Sequence, residues 1–250
     1  MNDRTDLNFA GRRLDEADFT GARLHGAILE NVKITDSILS NADISGDIDG
    51  LRLNGVEVAA YVETELDSRF PERKMLRAGD PEGMREAWVM LESVWQGTVS
   101  RARALPEVLL VERVDQEWSF IETLRHLILA TDCWLRRMVL QQEYPYHPWG
   151  LAGAWLTAPT ALGLDPTAHP SLEEVLTARR EHTKEVRRYL ESVSAKDLDR
   201  TCVPPTTPGH PTAPASVRHC LQVILREEWL HSTYANRDLQ ILEDRTEGVR

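Results

Sequence analysis

No stretch of this chain approaches eighteen uninterrupted apolar residues, so no segment reads as a membrane-spanning helix. The opening MNDRTDLNFAGRR lacks the apolar centre of a secretory signal, and the expected location is cytoplasmic. Cysteine is scarce and odd in number. Cys133, Cys202 and Cys220 show no close pairing motif, which suits a reducing compartment rather than a disulfide framework. Cys133 and Cys220 fall in apolar helical stretches and read as small buried hydrophobes. Basic residues number 29 against 40 acidic ones, for a formal charge of −11. A field of that sign repels phosphate backbones, so general nucleic-acid binding is disfavoured. What is present is 42% apolar residues and seven Trp within 250 residues, enough to bury a bundle-sized core beside a smaller module.

The first sixty residues repeat. Every fifth position from Phe9 is bulky and apolar: Phe9, Leu14, Phe19, Leu24, Leu29, Ile34, Leu39 and Ile44. Two positions before the last six of these stand Ala17, Ala22, Ala27, Val32, Ser37 and Ala42, small or compact. A period of five fits neither the helix repeat of 3.6 nor the strand repeat of two. It fits a chain that turns a corner every five residues and points one bulky side chain inward each time. The register slips at Gly46-Asp47-Ile48 and resumes with Leu53 and Val58. Ala17-Asp18-Phe19, Ala22-Arg23-Leu24 and Ala42-Asp43-Ile44 resemble the A(D/N)LXX units of the pentapeptide-repeat family. That resemblance implies a right-handed β-solenoid over residues 1–58, about two and a half coils and little more than 10 Å tall at β spacing. Such a stub is too short for the DNA mimicry of longer members and reads as a stabilising or dimerising cap.

Residues 59–79 read as a short helix, Ala59 to Phe70, stopped by Pro71 and followed by a charged linker. Residues 80–245 read as four helices. Asp80-Pro81 caps the first, which carries Trp88, Leu91, Trp95 and Val99. The second runs from about Asp115 to Gln142 with a wide apolar face, Trp118, Ile121, Leu124, Leu127, Ile128, Leu135 and Met138. A stretch rich in proline, glycine and aromatics follows, with Tyr144, Tyr146, Trp149 and Trp155, and reads as a packed crossover or lid. Ser171-Leu-Glu-Glu174 is a capping box opening the third helix, whose exposed face is expected to carry Arg179, Arg180, Glu181, Lys184 and Glu185. Ser216 caps a last helix ending near Glu243. The fold class is therefore mainly α, a four-helix bundle with one long crossover.

Glu227 and His231 on the fourth helix are four apart and share a face, about 6 Å between Cβ atoms. His126 lies mid-way along the apolar second helix. Three such ligands would leave coordination positions open for water or substrate. Glu122, one turn before His126, could orient it or act as a base. Glu228 is the alternative ligand, whereas His219 is about 12 Å away along the helix. His147, His169 and His210 fall in proline-bearing loops and His25 in the repeat; His182 sits among charges on the third helix and reads as surface. Tyr234 shares the ligand face, as a proton donor or as a buried, satisfied hydroxyl. Arg237 could hold an anionic substrate group or simply pair with an acidic neighbour. Trp118 and Trp134 read as packing residues. Spacing alone leaves a structural histidine on an apolar helix as the commoner outcome.

EWSFIETLRHLILATDCW followed by EEWLHSTYANRDL resembles the DinB superfamily, over roughly residues 80–245. The resemblance implies a bundle in which a second-helix histidine and an HxxxH pair on the fourth helix bind a divalent metal. Here the first histidine of that pair is Glu227, the His–Glu–His set that mycothiol-dependent maleylpyruvate isomerases use. Carried over residue by residue, the metal ligands are His126, Glu227 and His231, and the added negative charge favours Zn, Ni or Mn. Relatives use mycothiol or bacillithiol, so a small electrophilic substrate and a low-molecular-weight thiol are the implied partners. A homodimer is expected on general grounds only.

Overall fold

The computed structural model describes residues 8–24, 26–153, 156 and 158–247; His25 and Trp155, both read above, lie outside them. The chain divides into two units, residues 1–37 and 38–250.

In the first unit the period of five is a backbone fact. The left-handed conformation recurs at Gly11, Glu16, Gly21, Gly26, Asn31 and Asp36, one corner every fifth residue. Alternate corners are closed turns, Arg12 N donating to Phe9 O at 2.9 Å and Ala22 N to Phe19 O at 2.9 Å. The third residue of such a turn needs positive φ, which is why glycine or asparagine stands there. The stripe expected to fill an interior is not enclosed. From Phe9 to Ile34 its side chains are 49% to 63% exposed, and no strand forms among the described residues of this unit. In a repeat stub each bulky residue lacks a covering coil on one side, so the array cannot complete its own core.

The corners continue at Asn41 and Gly46 in the second unit, and one more closed turn follows in slipped register, Leu51 N donating to Ile48 O at 3.0 Å with Gly50 at positive φ. Where the repeat was expected to resume, β1 (Arg52–Leu53) and β2 (Val56–Glu57) pair antiparallel, Leu53 opposite Val56. Asn54 and Gly55 both take positive φ, the two-residue turn that an Asn-Gly pair favours. Helix α1 (Ala59–Arg69) follows, then a 3₁₀ helix over Pro71–Arg77 where a linker was expected. Leu76 is buried there, and Arg73 and Arg77 reach back to Glu63 and Asp67 on α1.

Helix α2 (Pro81–Ala104) starts where Asp80 accepts from the backbone N–H groups of Glu82 and Gly83. A short α3 (Glu107–Leu110) leads into a left-handed pair, Asp115 and Gln116. A helix cannot begin at that pair, so α4 (Phe120–Thr131) opens later than expected, at the capping box of Ser119 and Glu122. It continues into a π-helical turn over Asp132–Val139. Helix α5 (Leu172–Ser192) begins at the Ser171–Glu174 capping box. A small α6 (Ala195–Leu198), the pair β3 (Thr201–Cys202) and β4 (Ala215–Ser216), and the long α7 (Val217–Glu247) complete the chain.

Four helices make the bundle: α2 packs on α5 and α7, and α4 packs on the same two. One core gathers Met84, Trp88, Leu91, Leu135, Met138, Leu190 and Leu221; a second gathers Trp95, Ile121, Leu124, Ile128, Val175 and Leu239. The crossover between α4 and α5 is packed. Leu164 is buried against Leu129 and Cys133, and the buried Arg125 guanidinium donates to the carbonyls of Trp149, Asp165 and Ala168. No helix among the described residues is long and apolar enough to cross a membrane.

Candidate metal centre

His126 comes from the middle of α4, Glu227 and His231 from one face of α7, and the bundle brings the three together. Each offers a ligand atom within 4.8 Å of the other two. His126 Nε2 lies 3.3 Å from Glu227 Oε2, and His231 Nδ1 lies 3.3 Å from the same oxygen. The two imidazole centroids are 4.6 Å apart.

Hydrogen bonds behind the rings fix their orientation. His126 Nδ1 donates to Leu151 O in the crossover at 3.1 Å, and His231 Nδ1 donates to Glu227 O at 2.9 Å. With its proton on Nδ1, His126 turns a bare Nε2 lone pair toward a carboxylate oxygen. Two acceptors facing each other inside a bundle need a shared proton or a cation between them. A divalent ion held by these three side chains fits that imbalance, and the carbonyl behind each ring is the usual outer-shell arrangement for metal-binding histidines.

The electrostatics agree. Burial pushes His231 down to about 4, outweighing the pull of Glu227, so its imidazole is neutral. Burial alone would raise Glu227, but the two histidines and Arg226 beside it hold its carboxyl below the ordinary value. Neutral imidazoles with an ionised carboxylate are the forms that bind a metal.

Trp118 caps the site, its ring 4.6 Å from that of His126 and stacked 6.2 Å from that of His231. Packing was expected of Trp118; packing on both candidate ligands was not visible in the sequence. On another side the site opens into a cavity of about 300 Å³, walled by His126, Glu227, Leu129, Ala130, Cys133, Trp134 and His210. The Cys133 thiol is buried and pushed upward by that burial, so it lines the wall as a neutral group.

Glu122 does not play its expected part. Its carboxylate accepts from Ser119 N at 2.9 Å and from Arg113 at 2.5 and 2.8 Å, closing the N-terminus of α4. Leu151 O, not Glu122, orients His126. Arg237 pairs with Glu117 at 2.6 Å and Asp238 at 2.7 Å, the plainer of the two readings. It also lies 5.7 Å over the ring of Tyr234, which meets His231 edge-on at 5.9 Å. Burial raises Tyr234, keeping its hydroxyl protonated beside the ligand face.

Glu228 is no ligand. It is buried and makes a two-pronged pair with Arg179 of α5, at 2.7 and 2.8 Å. Arg179 is therefore inside, against expectation, and so is His182. His182 sends Nε2 to Asp132 Oδ1 at 2.9 Å and Nδ1 to Ala178 O at 2.8 Å. The signal was present: Leu172, Val175, Arg179, His182, Val186 and Leu190 follow one helical stripe. Charge was read as exposure where periodicity marked the inner face. His147 and His210 are half-buried rather than solvent-facing, while His169 is exposed as expected.

A family model described as DinB superfamily matches residues 90–235, more than half of the chain, and pentapeptide repeats match in eight copies over residues 5–46. No curated protein and no solved structure matches the chain. The two matches fall on the two parts that sequence and backbone distinguish, and the larger one contains all three converging side chains. This chain belongs to the DinB superfamily and carries pentapeptide repeats ahead of its helical bundle.

Proposed function

We propose that the protein is a divalent-metal-dependent enzyme, a thiol S-transferase or isomerase of the mycothiol type acting on a small electrophilic molecule. The single observation that supports this most is the convergence of His126, Glu227 and His231, two of which line a largely apolar cavity open on one side. Zn, Ni or Mn suits a site of two imidazoles and one carboxylate. Such an ion, when bound, lowers the pKa of a coordinated thiol or water and makes a nucleophile available near neutral pH.

The chain supplies the rest. His126 and His231 are held in fixed tautomers by Leu151 O and Glu227 O, so the ligand set forms without rearrangement. Trp118 covers the imidazoles, and Leu129, Ala130 and Trp134 give an apolar wall to the space where the electrophile would lie. Tyr234 keeps its proton and serves as the donor nearest the ligand face. Cys133, neutral and buried, stays out of the chemistry.

Protein purified without chelator is expected to carry one divalent ion per chain by elemental analysis. His231→Ala is expected to abolish it while the helical circular dichroism is unchanged, and thioether formation with a low-molecular-weight thiol should vanish with the metal. A wild-type protein without metal would remove the basis for this reading.

The half-exposed apolar stripe of the repeats favours a second reading, in which the corners wind into a short right-handed solenoid that serves as a docking surface. Partner capture that survives His126→Ala would support it; capture lost with the fold intact would count against it.

A further inference from the structure

Arg137 is the largest fully buried side chain of the molecule, 2% exposed, and no carboxylate among the described residues hydrogen-bonds to it. Its two terminal nitrogens donate to Pro205 O, Thr207 O, Thr207 Oγ1 and Pro208 O, neutral acceptors on the loop before β4. Its Nε–H is buried with no acceptor at all. A guanidinium cannot shed its charge, so a full positive charge stands in the interior with neutral loop oxygens as its hydrogen-bond partners.

That charge lies beside the cavity. Cys133 and Trp134, one turn earlier on the same helical segment, form its wall, as does His210. Gly209 brings the loop so close that a Cβ there would lie 2.9 Å from the guanidinium carbon, and the next residue is His210. The field is felt at the wall: His210 is pushed down by burial first and then by Arg137. The cavity wall thus holds the Glu227 carboxylate and the His126 imidazole, with the Arg137 guanidinium close behind His210.

Resting on the metal-dependent reading above, we infer that the substrate or thiol bound in this cavity is a small organic anion, its carboxylate directed toward Arg137 and His210 and its reacting end toward His126 and Glu227. The global charge of −11 opposes entry of any anion, so recognition needs a local cation in a low-dielectric setting, and Arg137 is that cation. A volume of about 300 Å³ sets the size at the small end of ligand sites.

The test compares 3-sulfanylpropanoate with its neutral amide, two thiols of nearly equal size that differ in one charge. Binding to the full chain is read twice: by the sulfur-to-cobalt absorption band of Co(II)-loaded protein, and by calorimetry on the metal-free protein. The acid is expected to bind at least tenfold more tightly than the amide in both. Because Arg137→Gln also loosens the 205–208 loop, the decisive variant is Ala130→Asp, which places a counter-charge on the cavity wall and leaves Arg137 and its loop alone. It is expected to erase the preference. Equal binding of acid and amide to the wild type, or a preference undiminished in Ala130→Asp, overturns the inference. Failure to take up cobalt brings down the metal reading instead, and the metal-free comparison still decides the question of charge.

Discussion

Two clusters of histidine and carboxylate in this bundle have opposite character. One is Asp132, His182 and Arg136; the other is Glu227, His126 and His231. In the first, donors and acceptors balance. Asp132 Oδ1 receives His182 Nε2 and Arg136 at 2.9 and 3.0 Å, Oδ2 receives the His147 N–H at 2.8 Å, and both nitrogens of His182 face acceptors. In the second, the carboxylate oxygens and the His126 lone pair share only the N–H of His231, which already serves Glu227 O. A histidine and an acid side by side do not make a metal site. An acceptor surplus is what a cation could fill.

The largest effect should come from breaking the balanced cluster. Asp132→Ala takes the acceptor from His182 Nε2 and from the His147 N–H inside the bundle, leaves Arg136 only its pair with Glu185, and is expected to cost about 3–5 kcal/mol in chemical denaturation. Metal per folded chain should not change; if it fell in step with stability, the two clusters would not be independent. Glu227→Gln should do the reverse. Losing a ligand is expected to weaken metal binding by more than the roughly 10–100-fold typical of outer-shell changes, read by chelator competition, with the metal-free fold as stable as before. Ser119→Ala removes the cap of α4 and should cost about 1 kcal/mol. Metal affinity should hold in that variant and in Glu122→Gln; a large drop in either would restore Glu122 to the site.

The smallest effect is the pH dependence of the metal-free protein. Burial lowers His147 and, with Arg137, His210 below their unfolded value of about 6.5. Between that value and the folded ones the unfolded chain binds more protons, so stability should fall as pH drops below about 6.5 and stay level above it. A Tm that rises between pH 7 and 5.5 would contradict this.

Much of the frame was readable because capping and periodicity are local. Asp80-Pro81 and Ser171-x-x-Glu174 start their helices as expected, and the i,i+4 placement of Glu227 and His231 needs nothing beyond one helix. The same S-x-x-E signal stands at Ser119 and marks the start of α4, where the apolar face alone suggests a start near Asp115, whose left-handed backbone forbids it. Asn54-Gly55 was likewise a hairpin signal inside an assumed repeat. Long-range partners were not readable. The burial of Arg179 depends on Glu228, 49 residues away, and that of His182 on Asp132, 50 residues away. Nothing local announces that Trp118 covers two imidazoles or that Arg137 backs a cavity.

The bond from His126 to Leu151 O joins a helix to a connection that begins only after the π-helical turn, and Leu151 N returns a bond to Arg125 O. A peptide group 25 residues downstream therefore chooses which side of an imidazole is basic. Any event that peels the crossover away also frees that proton to migrate between ring nitrogens. Were the centre to capture an ion, that capture and the seating of the connection would be one equilibrium seen from two ends, each reinforcing the other by an equal free energy.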